Sequence, residues 1–474
     1  ELDGAPEGFA SAPINARGFP GSRYTLQIYA EDCTGCAICV ENCPAISPTE
    51  PGRKAINMVD KPADLEAARR QIAFFENIPL PPRSRVNFAN VRGAQFLDPL
   101  FEFSGACAGC GETPYLKLLS QLFGDRLQIA NATGCSSIYG GNLPTTPWRA
   151  GEDGRGPAWS NSLFEDNAEF GLGYRLAVDK QTELARSLLA QMAADVGDDL
   201  AQAILEAPQV TESEFAAQRE RVAALGDKLK GRGDENSVTL MSLMDFLMRR
   251  SVWLVGGDGW AYDIGYGGLD HVLAQDRDVN LLVLDTEVYS NTGGQASKAT
   301  PLGAIAKFAA AGKPVPRKDL AMQAIAYGYV YVAQVAMGAN AEQTLIALRE
   351  AEAYPGPSIV LAYSHCIAHG IDMRFGMKQQ ARATAAGYWP LFRYDPTRRR
   401  RGQNPFRLDS PRPRLKLEDF AHRELRYRAL AKTDANSSTH MLAQAQAVVD
   451  ERFRVYEDLS SRDGSRFLPN WEEA

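Results

Sequence analysis

Short apolar runs with little polar alternation recur along the chain. Three of them lie at residues 251–255, 279–284 and 358–362, and the first two end at a glycine or an aspartate. Strands that are buried on both faces of a parallel sheet show this pattern. The runs therefore predict a doubly wound, mostly parallel α/β sheet, and residues 127–130 predict a further strand before a Gly-rich loop.

Helical periodicity dominates two other segments. Residues 61–78 carry an apolar helical stripe that ends before Pro79, so we expect a helix followed by a domain boundary near residue 80. Residues 176–231 are rich in Leu, Ala, Glu, Arg and Gln at helical spacing and predict two or three amphipathic helices. We expect these helices to form an insertion at about 176–250.

The segment after the sheet domain, which we place at 81–390, becomes basic and irregular. Four consecutive arginines begin at Arg398, several prolines follow, and helical periodicity returns only near 436–460. We expect residues 391–474 to form an extended C-terminal arm that ends in helices. Its arginines are either solvated surface charge or contacts across a partner chain.

Composition and charge narrow the class of protein. The 474 residues are 45% hydrophobic and 23% charged, which is typical of a globular protein and excludes collagen-like and wholly disordered chains. A net charge of -7 argues against nucleic-acid binding through a global basic field. The sequence shows no apolar run of membrane-spanning length and no signal-peptide pattern, so we expect a cytoplasmic protein without a membrane or nucleic-acid partner.

Eight cysteines form two unequal sets, and the first set is one compact run. Cys33, Cys36, Cys39 and Cys43 precede Pro44 with the spacing C-x2-C-x2-C-x3-C-P. This spacing wraps thiolates around an iron–sulfur cluster, and in two-cluster ferredoxins the fourth cysteine binds the other cluster. A zinc site and buried thiols are disfavoured alternatives, and disulfides are disfavoured in a chain without an export signal.

One such run supplies only three ligands to its own 4Fe-4S cluster, so half of a two-cluster module is missing. The other half would lie on a separate chain, or this chain would be the C-terminal part of a longer protein. The alternative is that Cys43 closes the same cluster as the other three cysteines. We therefore interpret residues 1–80 as a partial ferredoxin-like domain with a linker.

The second set consists of cysteines that are far apart in the sequence. Cys107 and Cys110 form a C-x2-C pair between glycines, whereas Cys135 and Cys366 each follow a predicted strand. Loops at one edge of a sheet could bring these four thiols together as a second 4Fe-4S site. The residues alone leave this open against zinc, a redox disulfide or buried structural cysteines.

Two Gly-rich loops follow predicted strands and carry candidate oxygen ligands. Gly257-Asp258-Gly259-Trp260 comes after the run at 251–255, and Asn291 follows the run at 279–284. A carboxylate and an amide at the carboxyl ends of two strands suit a divalent cation that holds a diphosphate, and the glycines allow the main chain to approach it. The pattern predicts thiamine diphosphate with Mg²⁺, and two Gly-rich turns without a ligand are the alternative.

Together these segments resemble the C-terminal part of the pyruvate:ferredoxin (flavodoxin) oxidoreductases. The blocks that carry the resemblance are 33–44, 103–115, 131–148, 156–173, 256–271, 284–309 and 363–373. They spread over nearly the whole chain, and the match is weaker over 176–250 and after 390.

The resemblance implies roles for individual residues. Asp258, the Thr286 side chain and the main-chain carbonyl of Val288 would bind the Mg²⁺ of thiamine diphosphate. The four cysteines of the second set would bind the 4Fe-4S cluster nearest the thiamine. The implied cofactor-contacting residues are Glu112, Gly257, Gly259, Trp260 and Asn291, with Ile138 as the candidate apolar wedge that holds the cofactor bent. Of these, Glu112 and Asn291 are the expected catalytic residues.

The implied activity is oxidative decarboxylation of pyruvate to acetyl-CoA and CO2. Electrons would pass singly through 4Fe-4S clusters to ferredoxin or flavodoxin, and CoA would take the acetyl group. The family's N-terminal domains, which activate the thiamine and bind pyruvate and CoA, do not fit in this chain. We expect them on the same or another chain, in an enzyme that is a homodimer, and the isolated chain to be incomplete.

Three rival functions remain at this stage. Another 2-oxoacid:ferredoxin oxidoreductase, for branched-chain, indolepyruvate or 2-oxoglutarate substrates, belongs to the same class, although its thiamine subunit would be shorter. A non-catalytic electron-transfer subunit would contain iron without thiamine. A zinc-stabilised binding module would contain zinc and show no visible absorption, so cofactor content separates the three.

Overall fold

The computed structural model of this chain describes residues 2–16 and 18–463. The strands are β1 (Ala12–Pro13), β2 (Arg23–Tyr24), β3 (Leu127–Ala132), β4 (Ala158–Ser162), β5 (Ser251–Gly257), β6 (Asn280–Asp285), β7 (Val288–Tyr289), β8 (Gln295–Ala296), β9 (Tyr331–Val335), β10 (Ser358–Tyr363), β11 (Phe392–Tyr394) and β12 (Phe406–Leu408). The α-helices are α1 (Ile38–Asn42), α2 (Glu66–Glu76), α3 (Val91–Ala94), α4 (Thr113–Phe123), α5 (Cys135–Gly140), α6 (Asn167–Gln191), α7 (Ala193–Val196), α8 (Asp198–Leu205), α9 (Glu212–Leu229), α10 (Glu235–Leu243), α11 (Tyr266–Leu273), α12 (Leu320–Ile325), α13 (Ala341–Ala353), α14 (Gly376–Ala385), α15 (Leu417–Ala421), α16 (Leu425–Thr433) and α17 (Ala435–Ser461). Shorter helical turns lie at Arg83–Arg85, Gly124–Arg126, Met244–Leu247, Gly259–Ile264, Ile367–His369, Met373–Phe375 and Pro396–Arg401.

The central sheet has eight strands in the order β12-β11-β9-β10-β6-β5-β3-β4. The six neighbouring strands from β9 to β4 run parallel, and β11 and β12 extend one edge in antiparallel orientation. The four predicted strands coincide with β3, β5, β6 and β10 to within a residue or two. The predicted mostly parallel α/β class is confirmed.

Alternate residues of the strands pack into separate cores on the two faces of the sheet. In β5, Val252 and Leu254 belong to one core, whereas Trp253 and Val255 belong to the other. All four side chains are at most 1% exposed, because helices cover both faces. Burial on both faces explains why these strands read as continuous apolar runs.

Helices α6 to α10 fill most of the segment in which an insertion is predicted. Part of their apolar surface forms a separate core around residues such as Leu189, Val222 and Leu225. The first of these helices begins at Asn167, earlier than predicted, and its N-terminal part packs on β3 and β5. The division of the chain at residues 80 and 390 stays a prediction.

The structure differs from the expected extended arm after residue 390. β11 and β12 join the main sheet, and α17 packs against β12. Phe392, Phe406 and Tyr456 are each at most 2% exposed, so burial of these rings holds the segment on the sheet. The two strands are three residues long and lie among prolines and arginines, too short for a periodic signal. Residues 464–474 of the predicted arm lie outside the described part of the chain.

The first cysteine run docks on the sheet domain. α1 lies within this run, and Glu41 forms an ion pair with Lys378 at 2.9 Å. A Cβ atom added to Gly109 would lie 2.9 Å from Ile38 Cδ1, so Ile38 touches the loop between Cys107 and Cys110. The two cysteine regions therefore meet through one apolar side chain. Among the described residues, no helix has the length and apolarity needed to cross a membrane.

Candidate active site

The candidate site lies at the edge of the sheet where the parallel strands end. β10, β6, β5 and β3 are consecutive neighbours, so the loops that follow them meet at this edge. Asp258 follows β5, Thr286 follows β6, Cys366 lies shortly after β10, and Cys135 lies shortly after β3. The fold therefore brings the predicted thiamine loops and two of the predicted cluster ligands to one place.

The three predicted Mg²⁺ ligands converge. The Thr286 hydroxyl oxygen lies 3.0 Å from Asp258 Oδ1 and 3.1 Å from the main-chain oxygen of Val288. Ser297 donates a hydrogen bond of 2.5 Å to Asp258 Oδ2 and orients the carboxylate. A carboxylate, a hydroxyl and a carbonyl oxygen form a ligand set that suits Mg²⁺.

The carboxylate of Asp258 is buried. The residue is 1% exposed, and no lysine or arginine among the described residues forms an ion pair with it. Burial, and then the nearby Asp285 carboxylate, raises the pKa of Asp258 well above its usual value. A buried carboxylate is stable when it binds a proton or a cation, so the residues present fit a divalent cation at this position.

The Gly-rich turn at Asp258 is packed too tightly for side chains. A Cβ atom on Gly259 would overlap the Tyr289 ring, so this position requires glycine. Trp260 is 2% exposed and belongs to the core of one sheet face. Gly259 and Trp260 thus shape the turn, whereas Gly257 is nearer the surface. Their direct contact with a cofactor stays a prediction.

Ser290 connects the oxygen ligands to the second cysteine set. Its hydroxyl oxygen lies 3.4 Å from Thr286 Oγ1 and 3.3 Å from Cys135 Sγ. The neighbouring Asn291 is exposed, and its side chain lowers the pKa of Cys135. One serine side chain therefore spans the gap between the predicted magnesium site and a predicted cluster ligand. The sequence prediction missed Ser290, although its position beside Asn291 could have indicated it.

The second set of cysteines comes together from three loops, one of which carries both Cys107 and Cys110. The cysteines are close enough to affect one another's pKa. Cys135 and Cys107 raise the pKa of Cys366, and Cys366 raises that of Cys110. Backbone N–H groups point at two of the sulfurs, from Glu112 to Cys110 at 3.5 Å and from Ala368 to Cys366 at 3.4 Å. N–H groups that face sulfur are typical of iron–sulfur sites.

Three thiols of this set, those of Cys110, Cys135 and Cys366, have raised pKa values. Burial raises the pKa of Cys135 to about 11 and that of Cys366 to about 12. In the described part of the chain, no three cysteine, histidine or carboxylate side chains stand close enough to hold a single metal ion. The three loops thus place the thiols near one another, and their role as cluster ligands stays a prediction.

The first cysteine run is more open than the second set. Cys33, Cys36 and Cys39 are exposed, and Cys43 is half-buried. The Cys43 thiol donates a long hydrogen bond of 3.8 Å to the Ala45 carbonyl. The assignment of this run to a 4Fe-4S cluster also stays a prediction.

Glu112 lies beneath the second cysteine set. It is 4% exposed, and Tyr139 donates a hydrogen bond of 2.7 Å to its carboxyl oxygen. Burial raises the pKa of Glu112 to about 7. Ile138, the neighbour of Tyr139 on α5, is 61% exposed, so it is free to contact a cofactor or another domain.

Two buried histidines flank Cys366, and the sequence prediction did not include either of them. His365 contacts the Gly109 carbonyl at 2.8 Å and the Gln380 side-chain amide at 3.0 Å. His369 contacts the Thr286 carbonyl at 2.7 Å. Burial lowers the pKa of His365 to about 4 and that of His369 to about 3, so both imidazoles are neutral. The spacing of the histidines around Cys366 is the sequence signal that could have identified them.

A buried ionic network supports the loop that carries Thr286 and Val288. Arg317 pairs with Asp285 at 2.5 Å and with Glu287 at 2.8 Å. Arg426 pairs with Glu287 at 2.5 Å and with Glu424 at 2.6 Å. The three carboxylate side chains have no exposed surface. The C-terminal segment thus reaches the base of the site, a contact that no local pattern predicts.

Comparison with known proteins assigns a class to this arrangement. The family described as "Thiamine pyrophosphate enzyme, C-terminal TPP binding domain" matches residues 238–362, a range that includes Asp258, Thr286, Val288 and Asn291. Thiamine pyrophosphate is thiamine diphosphate. The part of the sheet edge that carries these four residues is therefore similar to a thiamine diphosphate-binding domain.

Relatives of the whole chain are more specific. The chain is 55% identical over 468 residues to the pyruvate-flavodoxin oxidoreductase of Nostoc sp., covering 98% of this chain and 39% of that protein. It is 47% identical over 470 residues to the pyruvate:ferredoxin oxidoreductase of Moorella thermoacetica, and the match covers 97% of this chain and 39% of that protein. It is also 49% identical to the probable pyruvate-flavodoxin oxidoreductase of Escherichia coli, and this match covers 95% of this chain and 38% of that protein. Over nearly its full length, this chain is a homologue of part of the pyruvate:ferredoxin (flavodoxin) oxidoreductases, which confirms the predicted resemblance.

A search of solved structures gives a more distant match. A 2-oxoglutarate:ferredoxin oxidoreductase from Magnetococcus marinus matches with a TM-score of 0.33 and 15% identity, over 58% of this chain and 68% of that one. The chain spans less than two fifths of the length of the curated relatives given above.

Proposed function

We propose that this chain carries the thiamine diphosphate and electron-transfer sites of an enzyme that oxidatively decarboxylates pyruvate to acetyl-CoA and CO2. The observation that carries the proposal is the convergence of Asp258, Thr286 and the Val288 carbonyl beside the second set of cysteines. The names of the relatives support pyruvate as the substrate and flavodoxin or ferredoxin as the electron acceptor.

The residues divide into three tasks. Asp258, Thr286 and the Val288 carbonyl would hold Mg²⁺ and, through it, the diphosphate. Cys107, Cys110, Cys135 and Cys366 would hold a 4Fe-4S cluster, and Cys33, Cys36, Cys39 and Cys43 would serve a further cluster. Thiamine diphosphate, when bound, supplies a carbon nucleophile for the 2-oxoacid carbonyl and accepts the electrons that CO2 leaves behind.

The protein arranges these groups to shorten the path for electrons. Ser290 contacts both Thr286 and Cys135, so the proposed cofactor site and a proposed cluster ligand are separated by one side chain. Asn291 lies on the same loop, and its side chain lowers the pKa of Cys135. Glu112 lies below the cysteines, where its pKa of about 7 allows it to hold or release a proton near neutral pH.

The complete reaction requires parts that this chain does not supply. The relatives are more than twice as long, which supports the proposal that pyruvate-binding, CoA-binding and thiamine-activating groups lie on further domains. A homodimer of the full enzyme, located in the cytoplasm, belongs to the same proposal. Two alternative functions must be distinguished from this proposal by experiment. They are another 2-oxoacid:ferredoxin oxidoreductase and an electron carrier without thiamine.

The test is cofactor content and binding in the full-length enzyme. We expect the wild-type enzyme to bind thiamine diphosphate in a Mg²⁺-dependent manner and to contain iron and sulfide. Iron without thiamine binding would support an electron carrier, zinc would support a binding module, and turnover of a different 2-oxoacid in preference to pyruvate would change the substrate.

The variant Asp258→Asn sharpens this test. It keeps the size of the buried side chain and removes the charge that a cation needs, so we expect thiamine diphosphate binding to be lost and cluster iron to be retained. Because Asp258 forms no ion pair with the described lysines and arginines, the variant should change the free energy of unfolding of the cofactor-free protein by no more than about 1 kcal/mol. The exposed Asp245 provides the matched control, and Asp245→Asn should bind the cofactor normally. Unchanged cofactor affinity in Asp258→Asn would contradict the site assignment.

A further inference from the structure

One buried imidazole bonds to both of the loops that the proposed function assigns to different cofactors. His369 has no exposed surface and ends the helical turn that follows Cys366. Its Nε2 lies 2.7 Å from the carbonyl oxygen of Thr286, and its Nδ1 lies 3.4 Å from the backbone nitrogen of Cys366. A carbonyl oxygen accepts and a backbone N–H donates, so these contacts require a proton on Nε2 and an acceptor at Nδ1.

The bond to Thr286 acts on a strained part of the main chain. Glu287, between Thr286 and Val288, has a φ of 63°, in the left-handed region that residues other than glycine rarely adopt. Such a conformation persists where surrounding contacts enforce it. Arg317 and Arg426 hold the Glu287 side chain, and His369 holds the peptide carbonyl that precedes it. This conformation directs the Val288 carbonyl toward the Thr286 hydroxyl, at 3.1 Å.

The bond at Nδ1 acts on the other loop. Cys366 lies between His365, which contacts the Gly109 carbonyl, and His369. The Cys366 sulfur receives an N–H from Ala368 in the same turn. A shift of His369 would therefore move the backbone on both sides of this sulfur. No described side chain other than His369 is seen to bond to the backbone of both Thr286 and Cys366.

We propose that His369 is a positioning residue that couples the magnesium site to the neighbouring cluster. With one nitrogen it fixes the carbonyl of Thr286, and so the two oxygen ligands at Thr286 and Val288. With the other nitrogen it fixes the backbone of Cys366. This inference rests on the proposed function, because it assigns these loops to thiamine–Mg²⁺ and to a 4Fe-4S cluster.

A substitution of His369 should therefore change both the magnesium site and the cluster bound by Cys366. Residues that orient metal ligands without touching the metal typically contribute about 10- to 100-fold in metal affinity. We therefore expect His369→Leu to weaken divalent-cation affinity by about ten-fold or more. The same variant should alter the EPR spectrum of the cluster bound by Cys366. Loss of packing alone would not change the spectrum of a cluster whose ligands stay in place.

The experiment uses the full-length enzyme with Mn²⁺ as an EPR-visible substitute for Mg²⁺. Free Mn²⁺ is titrated in the presence of thiamine diphosphate, and the reduced-cluster spectrum is recorded for the same samples. His369→Gln carries an amide that can reach the Thr286 carbonyl, so it should bind Mn²⁺ within about three-fold of the wild type. His369→Asn carries a shorter amide that cannot reach it, and should lose about ten-fold or more. The exposed His440 provides the control, and His440→Leu should match the wild type.

The outcomes separate the inference from the proposed function. If the wild-type enzyme binds neither Mn²⁺ nor thiamine diphosphate, both the proposed function and the inference fail. If it binds both, and the leucine and asparagine variants keep the wild-type affinity and cluster spectrum, only the inference fails. If His369→Leu does not fold, the difference between His369→Gln and His369→Asn decides, and equal affinities in these two variants would overturn the positioning role.

Discussion

The sheet-edge site and the first cysteine run are both candidate cofactor regions, but the protein holds them in different ways. At the sheet edge, Asp258 and His369 are buried, and bonds from distant parts of the chain fix the loops. In the first run, Cys33, Cys36 and Cys39 are exposed and lie close together in the sequence. Ligands collected from distant loops need a rigid scaffold, whereas ligands from one short loop can be ordered by the cluster itself. The predictions below test this difference, beginning with the largest expected effect.

Removal of Arg426 should have the largest effect. Arg426→Leu leaves Glu287 and Glu424 buried without one of their cations, which costs about 3–5 kcal/mol when a partner of a buried ion pair is lost. Urea unfolding of the cofactor-free full-length enzyme would measure the free energy of unfolding. Arg454→Leu, at an exposed position of α17, is the control and should leave stability unchanged. Equal stability of both variants would show that the network does not support the site.

Glu112 should make stability depend on pH. Its pKa of about 7 in the folded protein exceeds the value of about 4.3 in an unfolded chain. Between these values the folded state holds a proton that the unfolded state has lost, so this group's contribution falls as pH rises, by roughly 4 kcal/mol in total. The stability of wild-type protein relative to Glu112→Gln should therefore decrease from about pH 4.5 to about pH 7. A difference that stays constant across this range in cofactor-free protein would contradict the prediction.

Gly109 tests the contact between the two cysteine regions. Its φ is 75°, and an added Cβ would lie 2.9 Å from both Ile38 Cδ1 and the Met373 carbonyl. Gly109→Ala should therefore destabilise the loop between Cys107 and Cys110 by about 1–3 kcal/mol. We expect faster iron release to a chelator from the second cysteine set. Gly105→Ala is the matched control, because an added Cβ there meets no atom within 4 Å. Equal release rates would show that the loop tolerates the change.

Removal of the surface ion pair between Glu41 and Lys378 should have the smallest effect. Glu41 and Lys378 join α1 to the sheet domain, and the Lys378 side chain is 49% exposed. Exposed ion pairs contribute little, so Lys378→Ala should increase proteolysis of the first cysteine run by no more than a few-fold, without changing global unfolding. A large loss of global stability would mean that this run is held as firmly as the sheet edge.

Sequence patterns predicted the central parallel strands of the sheet better than the two antiparallel strands at its edge. The buried strands β5, β6 and β10 appear as continuous apolar runs because both of their faces are covered. β11 and β12 are too short to show periodicity, so no sequence pattern indicated that the C-terminal segment adds two strands to the sheet.

The candidate site was predictable where its residues stand in motifs. The Gly-rich turn indicated Asp258, and the family resemblance indicated Thr286. Arg317 and Arg426 were not predictable, because their carboxylate partners are fixed by packing of segments far apart in the sequence. His369 lies near Cys366 in the sequence, but its contact with Thr286 depends on the pairing of β10 with β6.

The central claim is that one sheet edge holds the thiamine–Mg²⁺ site directly beside a cluster. EPR of the reduced full-length enzyme tests it, with Mn²⁺ and thiamine diphosphate bound. The relevant cluster signal is the one that Cys366→Ala removes. We predict that bound Mn²⁺ broadens this signal and makes its relaxation faster, and that Asp258→Asn abolishes both effects. An unchanged cluster signal in wild-type enzyme with Mn²⁺ and thiamine diphosphate fully bound would contradict the account.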